Sequence, residues 1–474
     1  MFTKSKEVVL ESIYDLSKRY QETNDISIIK EIINISLTEN YFDMYQKYFL
    51  GCQIKSWMFM FNTSIDREYK VLMHKLLKNV TDDFYKLVKE SMVYTPNESR
   101  CKNLVVVITS QLLNVYHSTS RFIMDMCYEL RENMGFKVLL INTADVITTK
   151  GKIPLSCVYK SNYVDFSRIS EIDYKGTKIF LFQSSKQMPD VDEINNMCQY
   201  ISELKPYFII QYGGFNLFAE LANKLVPVIT YNTISKDFPL ANTTFLALTD
   251  RVLQNKDFKF LRKIDKNVEN ILENADTPMV LANENSVRTY TRKEFDLPEE
   301  KFILLIAGTR LDVDIKADFI DMLIDVLSFN KNIFITFVGS FSKYDILCKE
   351  KNIFINNSKY LGPQRDIFNI LNLFDLYINP DREGNGSIAH SAASQKVPIV
   401  TFPNNDVAAV ISNNKDFIFT SYTEMKKEII KYSVDKSYHK VKSEKIAIIA
   451  KEYLAKNNFK KTILEDVIKR KNFY

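Results

Sequence analysis

Glycine and proline are scarce, at 11 and 12 among 474 residues. That leaves little room for low-complexity or linker segments, so nearly the whole length is expected to fold. No run approaches the roughly 18 apolar residues a membrane span requires. The opening MFTKSKEVVLESIYDLSKRY also lacks the continuous apolar core of a secretory signal. A cytoplasmic location is therefore expected. Six cysteines (Cys52, Cys101, Cys127, Cys157, Cys198 and Cys348) are scattered without zinc spacing, which fits buried reduced thiols better than disulfides or a structural metal. The four histidines, His74, His117, His390 and His439, form no metal-site pattern. There is no Walker loop and no nucleophile-elbow serine, so kinase and hydrolase chemistry lack support. Charge is nearly balanced, 63 Lys and Arg against 58 Asp and Glu for a net +5, and gives no reason to expect nucleic acid.

What is present is organised by periodicity. Residues 5–91 carry helical spacing almost throughout, as in Val9, Ile13 and Leu16 and then Ile29, Ile32, Ile33 and Leu37. About four helices are expected there. Their apolar faces need a cover, either the domain that follows or an interface in a homo-oligomer, with SWMFMF (56–61) the most adhesive piece. At Thr95-Pro96-Asn97 the texture changes. Short β-rich runs then alternate with helical ones: LVVVITS, KVLLINT, KIFLFQ, YFIIQYGG and VPVITYN. A helical connector over 253–273 leads to Pro278, and FILLIAG, IFITFVG, NIFIN, LYINP and PIVTF repeat the plan. The expected class is α/β, two Rossmann-like halves facing a cleft behind an N-terminal helical segment. The expected boundaries are 1–100, 101–277, 278–422 and 423–474, the last being helices that strap the halves together.

The chemistry concentrates in YINPDREGNGSIAHSAASQKVPIVT (377–401), where a strand enters a Gly-rich turn and a helix. Gly384, Asn385 and Gly386 allow close backbone approach to an anion, and Ser387 stands where it would cap a helix whose N–H groups face the same spot. Locally, an ordinary strand-to-helix turn fits as well. Upstream, KFILLIAG (301–308) reads as a buried parallel strand followed by Arg310 and then Lys316. Strands of one parallel sheet share their carboxyl edge, so both segments would face one crevice. A guanidinium fork and an ammonium there would neutralise a diphosphate without a metal. Gly213-Gly214 closes another strand and is either a backbone contact to a bound ligand or a place of close helix packing. His117 lies in the loop 110–120, where Ser118 or Thr119 would cap the next helix. It is a candidate general base, or a hydrogen-bonding group for a bound ligand; helix capping is the alternative.

In order and spacing, these phrases resemble the carboxyl-terminal half of GT-B fold glycosyltransferases, family 4-like, of the kind that build bacterial surface glycans. YTRKEFDLPEEKFILLIAGTRLD, NIFITFVGS and YLGPQRDIFNILNLFDLYINP carry the likeness with the Gly-rich stretch, and VVVITSQLLNVYHSTSR and KPYFIIQYGGFNLFAELANKLVPVIT resemble the family's acceptor half. The resemblance implies a hexosyltransferase using a nucleotide diphosphate sugar, a UDP-sugar first, and a glycan, lipid-linked glycan or protein acceptor. It implies that Tyr360 and Gly362 lie against the base and that Glu383 is the first of two glutamates. The second position is Ser391, so His390 or Ser391 would have to replace the ribose contact. Asp312-Val313-Asp314 and Asp190-Val191-Asp192 spell the DxD of metal-dependent transferases, but the first adjoins two cations and the second reads as a helix start. No metal and no cofactor are expected. A non-catalytic scaffold or chaperone partner of an active transferase is the alternative.

Residues 439–474 hold ten Lys or Arg against four Asp or Glu, with Phe459, Ile463, Val467 and Phe473 among them. This reads as a solvated basic helix or as peripheral contact with the inner face of an anionic membrane.

Overall fold

The computed structural model describes residues 5–61, 63–114, 117–231, 239–248, 270–272, 289–364, 366–456 and 467–470. Helices α1 (Lys6–Thr23), α2 (Ile26–Thr38), α3 (Met44–Met60) and α4 (Arg67–Val88) open the chain. Each begins where a side chain accepts an otherwise unpaired backbone N–H: Ser5, Asp25, Asp43 and Asp66 respectively. At α3, Gln46 returns the bond and completes a capping box.

The α/β pattern follows as β1 (Cys101–Thr109), α5 (Ser118–Tyr128), β2 (Lys137–Asn142), β3 (Glu171–Tyr174), β4 (Thr177–Gln183), α6 (Val191–Leu204), β5 (Pro206–Tyr212), α7 (Leu217–Ala222), β6 (Val228–Tyr231), β7 (Phe245–Ala247) and β8 (Ile271–Leu272). These strands form one sheet in the order β3-β4-β2-β1-β5-β6-β7-β8. It is parallel except where β3 meets β4. Apolar residues on both faces of β1 are the signature of a sheet covered twice. Val106 and Ile108 join a core with Phe49, Trp57 and Leu76 of the opening helices, while Val105 and Val107 pack with Ile123 and Met126 of α5. The opening helices thus find their cover on the first sheet. Trp57 is fully buried and donates its indole N–H to the Cys157 carbonyl at 3.2 Å.

Residues Met1–Pro278 with Phe459–Tyr474 make one compact unit, and Met279–Asn458 a second. The second contains β9 (Phe302–Gly308), α8 (Leu311–Asp314), α9 (Ala317–Phe329), β10 (Ile333–Gly339), α10 (Tyr344–Glu350), β11 (Ser358–Tyr360), α11 (Ile367–Ile370), β12 (Leu376–Ile378), α12 (Gly386–Ser394), β13 (Ile399–Val400), α13 (Asp406–Val410), α14 (Tyr422–Val434) and α15 (Lys436–Lys456). Its five strands are all parallel, in the order β11-β10-β9-β12-β13. This is a Rossmann-like layer, with β9 and β12 side by side at its centre.

Several expectations need correction. NIFIN is not a strand: Asn352–Phe354 forms a single helical turn that buries Phe354, and the strand begins at Ser358. A short apolar run does not by its periodicity distinguish the two. The end of the supposed helical connector holds β8, and the rest of it, with Pro278, lies outside the described residues. The six cysteines are free, yet only Cys52, Cys127 and Cys198 are buried; Cys157 and Cys348 are half-buried and Cys101 is exposed. Val467 does not sit on a basic surface; it is fully buried in the core of the first unit beside Leu272. Phe459, Ile463 and Phe473 lie outside the described residues. Among the described residues no helix is long and apolar enough to cross a membrane.

Candidate functional site

The adjacency of β9 and β12 decides the geometry of the Gly-rich stretch. Their carboxyl ends emerge together, so Arg310, two residues beyond β9, donates from Nη2 to the Glu383 carbonyl at 3.2 Å, immediately before the glycine turn. Arg310 is itself 8% exposed, and its Nε lies 3.1 Å from Asp314 Oδ1, one helical turn on. Asp314 Oδ2 in turn receives Arg382 Nη1 at 3.0 Å. Arg382 also donates from Nε to Asn379 Oδ1 at 2.9 Å and from Nη2 to the Ala307 carbonyl. One buried carboxylate is thus shared by two guanidinium groups.

The turn adopts backbone conformations that demand its sequence. Gly384 has φ 94° and Asn385 φ 65°, left-handed values suited to Gly and tolerated by Asn. Gly386 opens α12 where a Cβ would meet Val410 Cγ1 at 3.1 Å and the Asp406 carbonyl at 3.2 Å. Ser387 does not cap this helix. The capping position is Asn385, whose amide instead donates to the Ala307 carbonyl at 2.9 Å, so the helix start has no side-chain cap among the described residues. The first N–H groups of an uncapped helix start can bind an anion. The Gly384 N–H is given to Asp406 Oδ2 at 3.1 Å. Lys316 is exposed at the start of α9 and makes no hydrogen bond to the turn among the described residues.

Asp312 and Asp314 do not act together as a DxD pair. Asp312 accepts Ser342 N, Ser342 Oγ and Lys343 N at 3.1, 2.9 and 2.7 Å. Burial pushes its pKa up, but the Lys343 and Ser342 N–H groups win and hold it below the usual carboxylate value. Asp190 is a helix start as expected: it caps α6 and pairs with Lys150 at 2.8 Å.

His390 and Ser391 do not take over a ribose contact. Both are buried, at 0% and 1% exposure, and His390 Nε2 is 3.0 Å from the Ala450 carbonyl of α15. Burial lowers the His390 pKa against the opposing pull of that carbonyl. Tyr360 is tied to the end of β10, donating to the Gly339 carbonyl at 2.8 Å and accepting Phe341 N at 3.2 Å, with its ring 5.5 Å from that of Tyr344. Gly362 has φ 69° and its carbonyl accepts Gly339 N at 2.9 Å.

In the first unit, Gly213 and Gly214 follow β5 with φ 122° and 82°. A Cβ on Gly213 would find nothing nearer than Gln211 Nε2 at 3.9 Å, so there the glycine serves conformation, not close helix packing. Asn216 gathers this edge: it caps α7 and donates to Ser110 Oγ and Thr143 Oγ1, both at 2.8 Å. Asp145 beside it accepts Thr143 Oγ1 at 2.5 Å and Tyr48 O–H at 2.9 Å. Burial raises its pKa, although both hydrogen bonds oppose the shift.

The cap of α5 is His117 itself, not Ser118 or Thr119. Its Nδ1 accepts Ser120 N at 3.4 Å and lies 3.1 Å from Ser120 Oγ. With Nδ1 an acceptor, the neutral ring carries its proton on Nε2, which suits donation of a hydrogen bond better than removal of a proton. Burial lowers its pKa and favours the neutral form.

Arg382, Asp406, Asn216 and Asp145 were not picked out by sequence, and Asp314 stood out only as the second acid of a DxD. The one available signal was REGNG itself, where Arg382 directly precedes the glycine stretch.

Two Rossmann-like units of this kind, each built on a mainly parallel sheet, define the GT-B fold. A mutant O-GlcNAc transferase from Thermobaculum terrenum superposes with a TM-score of 0.52 at 9% identity, over 100% of this chain and 99% of that one. HepE of Anabaena, solved with UDP and glucose, gives 0.49 at 12% identity over 78% and 100%. A TarM mutant of S. aureus, solved with UDP among its ligands, gives 0.46 at 12% over 76% and 98%. No family model matches the chain, and no curated protein does either.

Proposed function

We propose that this protein is a glycosyltransferase that moves a hexosyl group from a nucleotide diphosphate sugar to a glycan, lipid-linked glycan or protein acceptor, without a metal. The observation that carries the reading is the 3.2 Å bond from Arg310 Nη2 to the Glu383 carbonyl, which sets a guanidinium beside the uncapped start of α12. Cation and helix start together form an anion site of the kind that holds a pyrophosphate. As the bond to the sugar breaks, negative charge grows on the departing diphosphate. Arg310, the α12 N–H groups and Lys316 stabilise it there, the work a divalent ion does in metal-dependent transferases. Glu383 positions the donor sugar, and His117 donates a hydrogen bond from Nε2 to a sugar hydroxyl. UDP is the first nucleotide to test, because the sequence resembles UDP-sugar enzymes. Contact with a membrane surface is a property of the acceptor side of the same proposal.

The test is calorimetric titration with UDP, followed by a panel of nucleotide sugars assayed for slow diphosphate release. Binding with release supports the enzyme. Binding without release of any donor supports the scaffold reading, and absence of nucleotide binding removes the donor site altogether.

A further inference from the structure

The proposed anion site rests on a side chain that itself touches no solvent. Arg382 has a side-chain exposure of 0% and Asp314 of 3%. All three nitrogens of the Arg382 guanidinium are engaged: Nε with Asn379 beyond β12, Nη1 with Asp314 of α8, and Nη2 with Ala307 of β9. Its place is reserved by the backbone, since a Cβ on Gly308 would lie 2.3 Å from Nη1. Gly308 is therefore small to admit Arg382, not to meet a ligand. Next to it, a Cβ on Gly339 would fall 1.9 Å from the Gly308 carbonyl, so the neighbouring strand end is equally committed.

The consequence concerns Arg310. Asp314 turns one oxygen to each arginine, Oδ2 to Arg382 at 3.0 Å and Oδ1 to Arg310 at 3.1 Å. A carboxylate held by one guanidinium alone can accept it with both oxygens, in a bidentate pair. Arg382 prevents that pairing. With Oδ2 occupied, Arg310 meets Asp314 through Nε at Oδ1, and its Nη2 reaches the Glu383 carbonyl next to the glycine turn. We propose that Arg382 is a positioning residue for pyrophosphate recognition, competing with Arg310 for Asp314 and so keeping the Arg310 fork turned toward the Gly384–Gly386 turn. This rests on the donor-site reading above and adds the residue that aims its main cation.

The experiment is a double-mutant cycle on the full chain, with UDP and inorganic pyrophosphate as probes. Arg382→Met removes the competitor, so Arg310 closes on Asp314 and affinity for both probes falls about 10- to 100-fold, the range of one charge-assisted hydrogen bond. Arg382→Met with Asp314→Asn removes the carboxylate as well and leaves no buried acid to capture Arg310. With Asp314→Asn alone as the fourth corner, adding Asp314→Asn is expected to tighten UDP binding more in the Arg382→Met background than in the wild type, and without a matching gain in Tm, which separates it from relief of an unpaired buried carboxylate. Thermal unfolding confirms that each variant is folded. If Arg382→Met does not fold, Arg382→Gln replaces it, keeping a hydrogen-bonding amide near Asn379 and Ala307 but no cation on Asp314, with about a 10-fold loss expected. Wild-type affinity in a folded Arg382 variant, or a double variant no tighter than the single, overturns the positioning role while leaving the donor site standing. A wild-type protein that binds neither UDP nor pyrophosphate overturns the donor site and this inference with it.

Discussion

The two sheets solve the same problem at their carboxyl edges with different chemistry. In the first unit Asn216 draws the exits of three neighbouring strands together, bonding Ser110 and Thr143 while capping α7. In the second, Arg382 does it, bonding Ala307, Asn379 and Asp314. An amide brings no charge, so the first edge is a neutral one of hydroxyls and amides, and its acid, Asp145, is buried beneath Tyr48. A guanidinium brings a cation and requires a carboxylate, and a second arginine shares that carboxylate. The contrast is one of charge, hydroxyls and amides at one edge and a buried ion cluster at the other. It also says where each unit is fragile.

The sharpest way to break the comparison is to remove the central partner on each side. Asp314→Ala leaves buried guanidinium groups without their carboxylate and is expected to lower unfolding free energy by about 3–5 kcal/mol. Asn216→Ala removes neutral hydrogen bonds and a cap, for about 1–3 kcal/mol. Urea unfolding of the two variants should rank them in that order, and equal losses would erase the distinction. The glycines give a second contrast. At Gly339, with φ 116° and a Cβ position 1.9 Å from a carbonyl oxygen, alanine should cost about 2–4 kcal/mol through strain and overpacking together. At Gly213, where only the backbone angle is at stake, about 1–2 kcal/mol is expected by the same measurement.

His117→Ala sharpens the reading of the neutral edge. Loss of the α5 cap should lower stability by about 0.5–2 kcal/mol. If turnover of the folded variant is normal, the imidazole is a cap and nothing more. The smallest effect is expected from pH. Burial lowers the His390 pKa, so the folded protein keeps this ring neutral while the unfolded chain protonates it near its ordinary value of about 6.5. Its contribution is present above that value and is lost as pH falls toward the lower folded value. Substituting His390→Gln should flatten the dependence of unfolding free energy on pH just below about 6.5. An unchanged slope would show that the ring titrates alike in both states.

Sequence alone determined the elements that depend on near neighbours. Alternating and continuous apolar runs gave nine of the expected strands their place, from LVVVITS to PIVTF, because period-two burial is written locally. The helical opening was legible for the same reason. The likeness of Arg310 and the glycine turn to a donor site was also legible, since strand ends of one parallel sheet share an edge wherever they fall in the chain. Only the tertiary structure decided what is adjacent across that edge. Asp314 and Arg382 are 68 residues apart and meet at 3.0 Å, and nothing local distinguishes a buried, shared carboxylate from the second acid of a metal motif. Ser387 and Asn385 both suit a helix start, yet neither side chain caps it: Asn385 holds the capping position but gives its amide to the Ala307 carbonyl of a neighbouring strand. His390 looked free to face a ligand until α15 covered it. Burial and pairing are properties of what arrives from elsewhere in the chain, and that information is not local.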